Sequence, residues 1–172
     1  MGLPQEAPER RSATDAEARA LASGLRLQIL RLTLDEALTN KEIAERLDRN
    51  PASVLHHVRT LVDAGFLRAE SVRRGARGSR EVPYRATGKS WQLEVPNVSG
   101  AVLAAFLAEA EQVPAGALET SRLGLRLTDD EVEELRQRLH DLLEEFHRRT
   151  VSPDAEPWSV FLALHPDAGR ST

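Results

Sequence analysis

The 172-residue chain contains no cysteine, one tyrosine and two tryptophans. The absence of cysteine excludes disulfides, thiolate metal sites and cysteine nucleophiles. The shortage of aromatic residues argues against a surface that stacks single-stranded bases. No apolar run approaches the ~18 residues that a membrane span needs, so we expect no membrane partner. Because the N-terminus has no apolar signal core, we expect a cytoplasmic protein.

The charges that are present are distributed unevenly along the chain. Residues 39–89 carry eleven Lys or Arg against six Asp or Glu, whereas residues 90–172 carry seven against fifteen. The net charge of −4 hides this contrast. A basic middle favours contact with a polyanion, and the acidic remainder favours a different role.

The middle of the chain predicts two short helices joined by a tight turn. Thr39 and Glu42 have the spacing of a capping box, which opens the first helix. Pro51 opens the second helix, which we expect to span residues 51–64 and to stop at Gly65. At 100° per residue, one side of this helix is apolar and consists of Val54, Leu55, Val58, Leu61 and Val62. This pattern predicts a helix-turn-helix.

The segment directly after this motif predicts a β-hairpin. FLRAESV (66–72) and EVPYRAT (81–87) are typical of short strands. Their connection, RRGARGSR (73–80), contains four arginines, two glycines and no acid. The planar arginine fork matches phosphate oxygens. We therefore interpret the hairpin as a wing with a cationic tip, and an ordinary solvated loop is the alternative.

His56 and His57 stand side by side on the second helix, which raises the question of a metal site or an acid–base pair. Adjacent helical residues point about 100° apart, whereas helical metal pairs need a spacing of three or four. His56 points away from the apolar stripe, and an exposed helix face is a poor place for a catalytic pocket. We predict no enzyme activity, no metal and no cofactor. Small and polar outward side chains instead suit the major groove of DNA.

Four motifs carry a resemblance to a known family: LRLQIL, KEIAERL, HHVRTLVDAGFL and VPYRAT. Over residues 15–90 the chain resembles the ArsR-type winged helix-turn-helix regulators of bacteria. The resemblance implies a homodimer that binds a palindromic operator in double-stranded DNA and responds to an effector. The family's recognition-helix positions match Ala52, Ser53, Leu55, His56, His57 and Arg59, and Leu55 departs from the small hydroxyl residue that is common there.

The metal-sensing part of the family's behaviour does not transfer to this chain. Cysteine is absent, and His140 and His147 are seven residues apart on a late helix, too far to share one ion by themselves.

The chain after Pro96 predicts helix, strand, helix and strand, at 98–113, 121–128, 129–149 and 158–164. Both strand predictions rest on apolar segments of β type, such as the alternating leucines of SRLGLRLT. Two roles stay open for this region. It could form a dimer, which we favour, or it could enclose a small-molecule effector of unknown identity.

These observations predict a mainly α fold with small β. We expect a disordered lead-in (1–13), a winged helix-turn-helix DNA-binding domain (14–92) and a C-terminal helical dimerisation region with short strands (93–172). The expected function is sequence-specific transcriptional regulation by a homodimer, with helix 51–64 in the major groove and wing 73–80 on the backbone or in the minor groove. The alternative is a winged-helix module that binds protein and not DNA. The predicted DNA contacts are Thr39, Asn40, Lys41, Arg49, Ala52, Ser53, His56, His57, Arg59, Thr60, Arg73, Arg74, Arg77 and Arg80.

Overall fold

Six α-helices and several short strands make up the described fold. The structure, a computed structural model, describes residues 10–75, 78–152 and 154–170. The chain divides into two compact units, named here the winged-helix unit (residues 10–115) and the C-terminal unit (residues 116–170). The predicted mainly α fold with small β is confirmed.

The winged-helix unit contains the predicted helix-turn-helix and hairpin. Its helices are α1 (Asp15–Leu21), α2 (Gly24–Leu32), α3 (Asn40–Arg46), α4 (Pro51–Asp63) and α5 (Ser99–Ala110). Its strands are β1 (Arg11–Ser12), β2 (Leu38–Thr39), β3 (Leu67–Ala69), β4 (Arg73–Arg74), β5 (Arg80–Glu81), β6 (Pro83–Ala86) and β7 (Leu93–Glu94). Strand β6 pairs antiparallel with β2 and β3, β4 pairs antiparallel with β5, and β1 pairs parallel with β7.

Local signals determine where the two helices of the motif begin and end. Thr39 and Glu42 complete a capping box at α3. The Asn50 side chain accepts a hydrogen bond from the Ala52 N–H at 2.8 Å, directly before Pro51. At the end of α4, Gly65 has a φ of +75°, a conformation that glycine adopts without strain. The predicted helix-turn-helix is therefore confirmed.

The apolar side of α4 lies at the centre of the core. Val58 and Leu61 are fully buried and share the core with Ile29, Ile43 and Phe66. Burying each such side chain contributes about 1.5–3 kcal/mol. Because one side of α4 is fixed in this way, its opposite side faces solvent.

A buried carboxylate connects the beginning of the winged-helix unit to the segment that follows strand β6. Glu17 accepts hydrogen bonds from Arg11 at 2.6 and 2.9 Å, and its Oε1 lies 2.7 Å from Lys89 Nζ. The Arg11 guanidinium and then the Lys89 ammonium hold the pKa of Glu17 well below its usual range. Residues 10–13 thus belong to the fold, in contrast to the predicted disordered lead-in, whose residues 1–9 lie outside the described part of the chain.

Helix α5, which the sequence assigned to the C-terminal region, packs against α2. Small side chains permit a close approach, since a Cβ on Gly24 would lie 3.4 Å from the Ala105 nitrogen. Arg31 Nε forms an ion pair with Glu109 Oε2 at 3.2 Å, and burial raises the pKa of Glu109. The compact unit that contains α5 extends as far as Ala115.

The C-terminal unit is built around one long helix, α6 (Asp129–His147), which lies within the predicted range 129–149, and a capping box of Thr128 and Glu131 opens it. The strands predicted at 121–128 and 158–164 are wrong, because neither segment forms a strand. A strand needs a neighbouring backbone, and the described residues of this unit provide neither segment with one. No helix in the described ranges is long and apolar enough to cross a membrane.

Candidate nucleic-acid interface

The outer side of α4 carries most of the residues predicted to contact bases. Ala52, Ser53, His56 and Arg59 are exposed, and Thr60 is partly exposed. The first turn presents only small side chains, so its backbone can approach another surface closely. The Thr60 hydroxyl donates to the His56 carbonyl at 3.0 Å, which leaves the hydroxyl oxygen able to accept a further hydrogen bond.

The two histidines have different surroundings. Their ring centroids are 5.7 Å apart with the planes 64° apart, but His56 is exposed and His57 is partly buried. His57 Nδ1 lies 3.4 Å from Arg26 Nη1, and Arg26 also donates to the backbone at the end of α1. Burial, and then the charge of Arg26, lowers the pKa of His57. Of the two histidines, His56 is therefore the one that faces outward.

The described residues contain no cluster of three or more His, Cys, Asp or Glu side chains that could hold a metal ion. Sequence reasoning missed Arg26, because it stands 31 positions before His57 and no periodic pattern links the two.

The turn between α3 and α4 fixes how the two helices meet. Asp48 adopts a φ of +49°, which a short polar side chain tolerates. The Asn40 amide donates to the Pro51 carbonyl at 2.9 Å and so joins the start of α3 to the start of α4. Arg49 and Lys41 are exposed beside the turn, and Lys41 lies 3.7 Å from Glu45.

Thr39 differs from the other predicted contacts. It is only 5% exposed, and its hydroxyl donates to Glu42 Oε2 at 2.9 Å. Its side chain therefore caps α3 and fixes where that helix begins, and little of it is accessible from the surface.

The wing places two arginines directly opposite each other. Arg74 on β4 and Arg80 on β5 are Cα partners in the antiparallel ladder, and both are exposed. Like charges at directly opposite positions destabilise a ladder by a few tenths to about 1 kcal/mol. Neither arginine has an acidic partner within the described ranges. Arg74 and Arg80 thus present positive charge that no acidic side chain of the described residues pairs with.

Arg73, unlike Arg74 and Arg80, forms ion pairs within the protein. Its guanidinium forms an ion pair with Glu42 on α3, and its Nε lies 3.7 Å from Glu81 on β5. The hydrogen bond from the Thr39 N–H lowers the pKa of Glu42, and the Arg73 guanidinium lowers it further. This ion pair connects the wing to α3, a connection that sequence reasoning did not find. Arg77, the fourth predicted wing arginine, lies outside the described residues.

Residues 21–70 match the helix-turn-helix domain family. The match covers α2, β2, α3, α4 and β3, which include the elements that position the exposed side of α4. No curated protein matches the chain.

Among solved structures, the chain is similar to the homodimeric winged helix-turn-helix DNA-binding domain of a possible ArsR-family transcriptional regulator from Mycobacterium bovis. The identity is 24% over 56% of this chain and 78% of that one, with a TM-score of 0.37. It is also similar to reduced HlyU from Vibrio cholerae, at 24% identity over 54% and 84% of the chains and a TM-score of 0.35. For the MepR–DNA complex of S. aureus, the identity is 18% over 77% and 80%, with a TM-score of 0.29.

Proposed function

We propose that this protein is a sequence-specific, double-stranded DNA-binding transcriptional regulator that acts as a homodimer. Helix α4 enters the major groove, and the wing contacts the sugar-phosphate backbone or the minor groove. Ser53, His56 and Thr60 supply hydrogen-bonding groups for base edges, and Arg59 lies beside them for phosphate or guanine.

The observation that carries the proposal is the pair Arg74 and Arg80. These two arginines are Cα partners across a ladder, where like charges carry an energetic cost, and no acid in the described residues forms an ion pair with either of them. Departures from local stability rules of this kind tend to mark functional sites. A polyanion offsets the repulsion, and phosphates spaced along a duplex do so beside the groove that α4 would occupy.

The remaining predicted contacts divide into two groups under this proposal. Exposed Lys41 and Arg49 flank α4 and would bind phosphate, as would Arg77 of the wing. Asn40, His57 and Arg73 are already bonded within the protein, to Pro51, Arg26 and Glu42 respectively. We propose that these three mainly position the α4 surface and the wing.

The proposal is tested by selecting genomic fragments that the purified full chain binds and sequencing them. We expect one enriched motif with twofold symmetry and half-sites about 10–10.5 base pairs apart, because two copies of α4 would enter successive major grooves. Enrichment of no motif would reject sequence-specific binding. A chain that binds no duplex but captures a protein would support the alternative, a winged-helix module for protein partners.

A further inference from the structure

Arg26, near the start of α2, is held by all three nitrogens of its guanidinium. Nε donates to the Ala20 carbonyl, and Nη2 donates to the Arg19 carbonyl at 2.7 Å, both at the C-terminal end of α1. Nη1 lies 3.4 Å from Nδ1 of His57 on α4. Because three separate acceptors hold one planar group, the position of Nη1 relative to the His57 ring is fixed.

This contact determines which ring nitrogen of His57 carries the proton. A guanidinium has only donors, whereas a neutral imidazole has one N–H donor and one acceptor nitrogen. The contact with Arg26 therefore gives the acceptor role to Nδ1 and the proton to Nε2. Burial and the charge of Arg26, which lower the pKa of His57, favour the same singly protonated ring.

Nε2 of His57 is the ring nitrogen that is left for a ligand. His57 is partly exposed, and no described residue forms a hydrogen bond with its Nε2. This nitrogen is also not one of the described side-chain atoms that are buried without a partner. One turn earlier on α4, Ser53 is exposed, and one turn later, Leu61 is fully buried. His57 thus lies at the border between the exposed side of α4 and the core.

The border of a helix that lies in the major groove is the part that approaches phosphates. The outermost side of such a helix faces base edges, and its flanks approach the sugar-phosphate backbones. Most contacts that position a protein on a duplex are made to phosphate and sugar oxygens. A phosphate oxygen accepts hydrogen bonds, so it suits an Nε2–H of fixed direction, whereas an unprotonated Nε2 offers it nothing.

We infer that Arg26 is a positioning residue for DNA binding that acts through His57. It holds the His57 ring in the Nε2–H tautomer, and Nε2 then donates to a phosphate oxygen of the duplex as a neutral group. This inference rests on the proposed DNA binding and adds a contact that differs in kind from those of the wing arginines. Because a neutral donor releases no counterion, its contact strengthens binding equally at every salt concentration.

The first test determines the tautomer in the full chain, with isotope-labelled histidine and without DNA. The chain contains five histidines, and the nitrogen spectrum of His57→Phe identifies the signals of His57 by their loss. At neutral pH we expect the chemical shifts of an Nε2–H ring, because protonated and unprotonated ring nitrogens resonate far apart. A ring that carries its proton on Nδ1, or one proton on each nitrogen, would overturn the inference.

The second test asks whether Arg26 sets this tautomer, by comparing Arg26→Met with the matched control Arg31→Met. Both variants remove one guanidinium from α2 and keep a flexible side chain, but Arg31 pairs with Glu109 and not with His57. We expect a mixture of His57 tautomers in Arg26→Met and the wild-type ring in Arg31→Met. An unchanged His57 ring in folded Arg26→Met would overturn the role of Arg26. Circular dichroism establishes folding, and if Arg26→Met does not fold, the wild-type tautomer and the duplex titration decide.

The third test compares His57→Phe with the wild type on a random-sequence duplex, by fluorescence anisotropy. Phenylalanine keeps a ring and removes the donor, so the affinity should fall about 2- to 12-fold for each contact, with the wild-type salt slope. The same loss is expected on the preferred site, because a phosphate contact carries no sequence information. A slope lower by about 0.9 for each contact would indicate a charged histidine, and a loss confined to the preferred site would indicate a base contact. Either result overturns the inference.

The Nε2 proton itself separates a phosphate contact from a purely structural role of His57. Saturation with the random-sequence duplex should slow the exchange of this proton with water and shift its signal. An Nε2–H signal that saturating duplex leaves unchanged would overturn the phosphate contact and leave the proposed DNA binding intact. A chain that binds no duplex would reject the proposed function and this inference together, so the two failures are distinguishable.

Discussion

The sharpest prediction concerns the salt dependence of DNA binding after the double substitution Arg74→Ala/Arg80→Ala, which removes the two opposed wing arginines. Each lost phosphate contact lowers the salt slope, log K against log[salt], by about 0.9. A dimer loses four such contacts, so its slope should fall by about 3.6. When the salt concentration is raised from 50 to 200 mM, the factor by which the affinity falls should therefore be about 150 times smaller for the double variant than for the wild type.

The structure also predicts that this variant remains folded. The substitutions remove a like-charge pair across the ladder, so the free energy of unfolding should be unchanged or higher by up to about 1 kcal/mol. The assay is fluorescence anisotropy of a labelled duplex at several salt concentrations. Arg136→Ala/Arg138→Ala on α6 is the matched control, because it removes the same charge from the C-terminal unit and should keep the wild-type slope. A wild-type slope for the wing variant as well would refute the assignment of these arginines to DNA.

Three further predictions test the exposed side of α4, the apolar core and the ion pairs of Glu17. His56→Ala should cost about 1–3 kcal/mol on the preferred site and little on random duplex, measured by competition binding, whereas His140→Ala should change neither. Leu61→Ala should lower the free energy of unfolding in urea by about 2–5 kcal/mol, because it leaves a cavity, and Leu34→Ala, at a half-exposed position, by less than about 1 kcal/mol. Glu17 has a lowered pKa in the folded state, so the stability it contributes is present above the unfolded value near 4.5 and is lost as the pH falls below it. Glu17→Gln should accordingly flatten the acid branch of the stability curve, and equal acid sensitivity of both proteins would contradict this reasoning.

Features that depend on neighbours in the sequence could be predicted before the structure was known. The capping boxes at Thr39 and Thr128, the proline that opens α4 and the glycine that ends it are local signals. The helical spacing of apolar residues in α4 also predicted the side on which it is buried. These signals are sufficient for the helix-turn-helix because both of its helices are short and locally capped.

Features that depend on distant partners could not be predicted. Local alternation suggested strands at 121–128 and 158–164, but a strand forms only where a second backbone is available. The Arg73–Glu42 ion pair and the Arg26–His57 contact each join residues 31 positions apart, which no periodicity reveals. The ordering of Arg11 and Ser12 depends on pairing with Leu93 and Glu94, which lie far along the chain in the same unit.

The central claim is that the exposed side of α4, together with the wing, fits a DNA duplex, and it is tested most directly by titrating the full chain with a random-sequence duplex. At low ionic strength the account predicts saturable binding that weakens steeply as salt is added and has a dissociation constant of about 10⁻⁴–10⁻⁶ M at physiological salt. Absence of binding to any duplex at low ionic strength would contradict it.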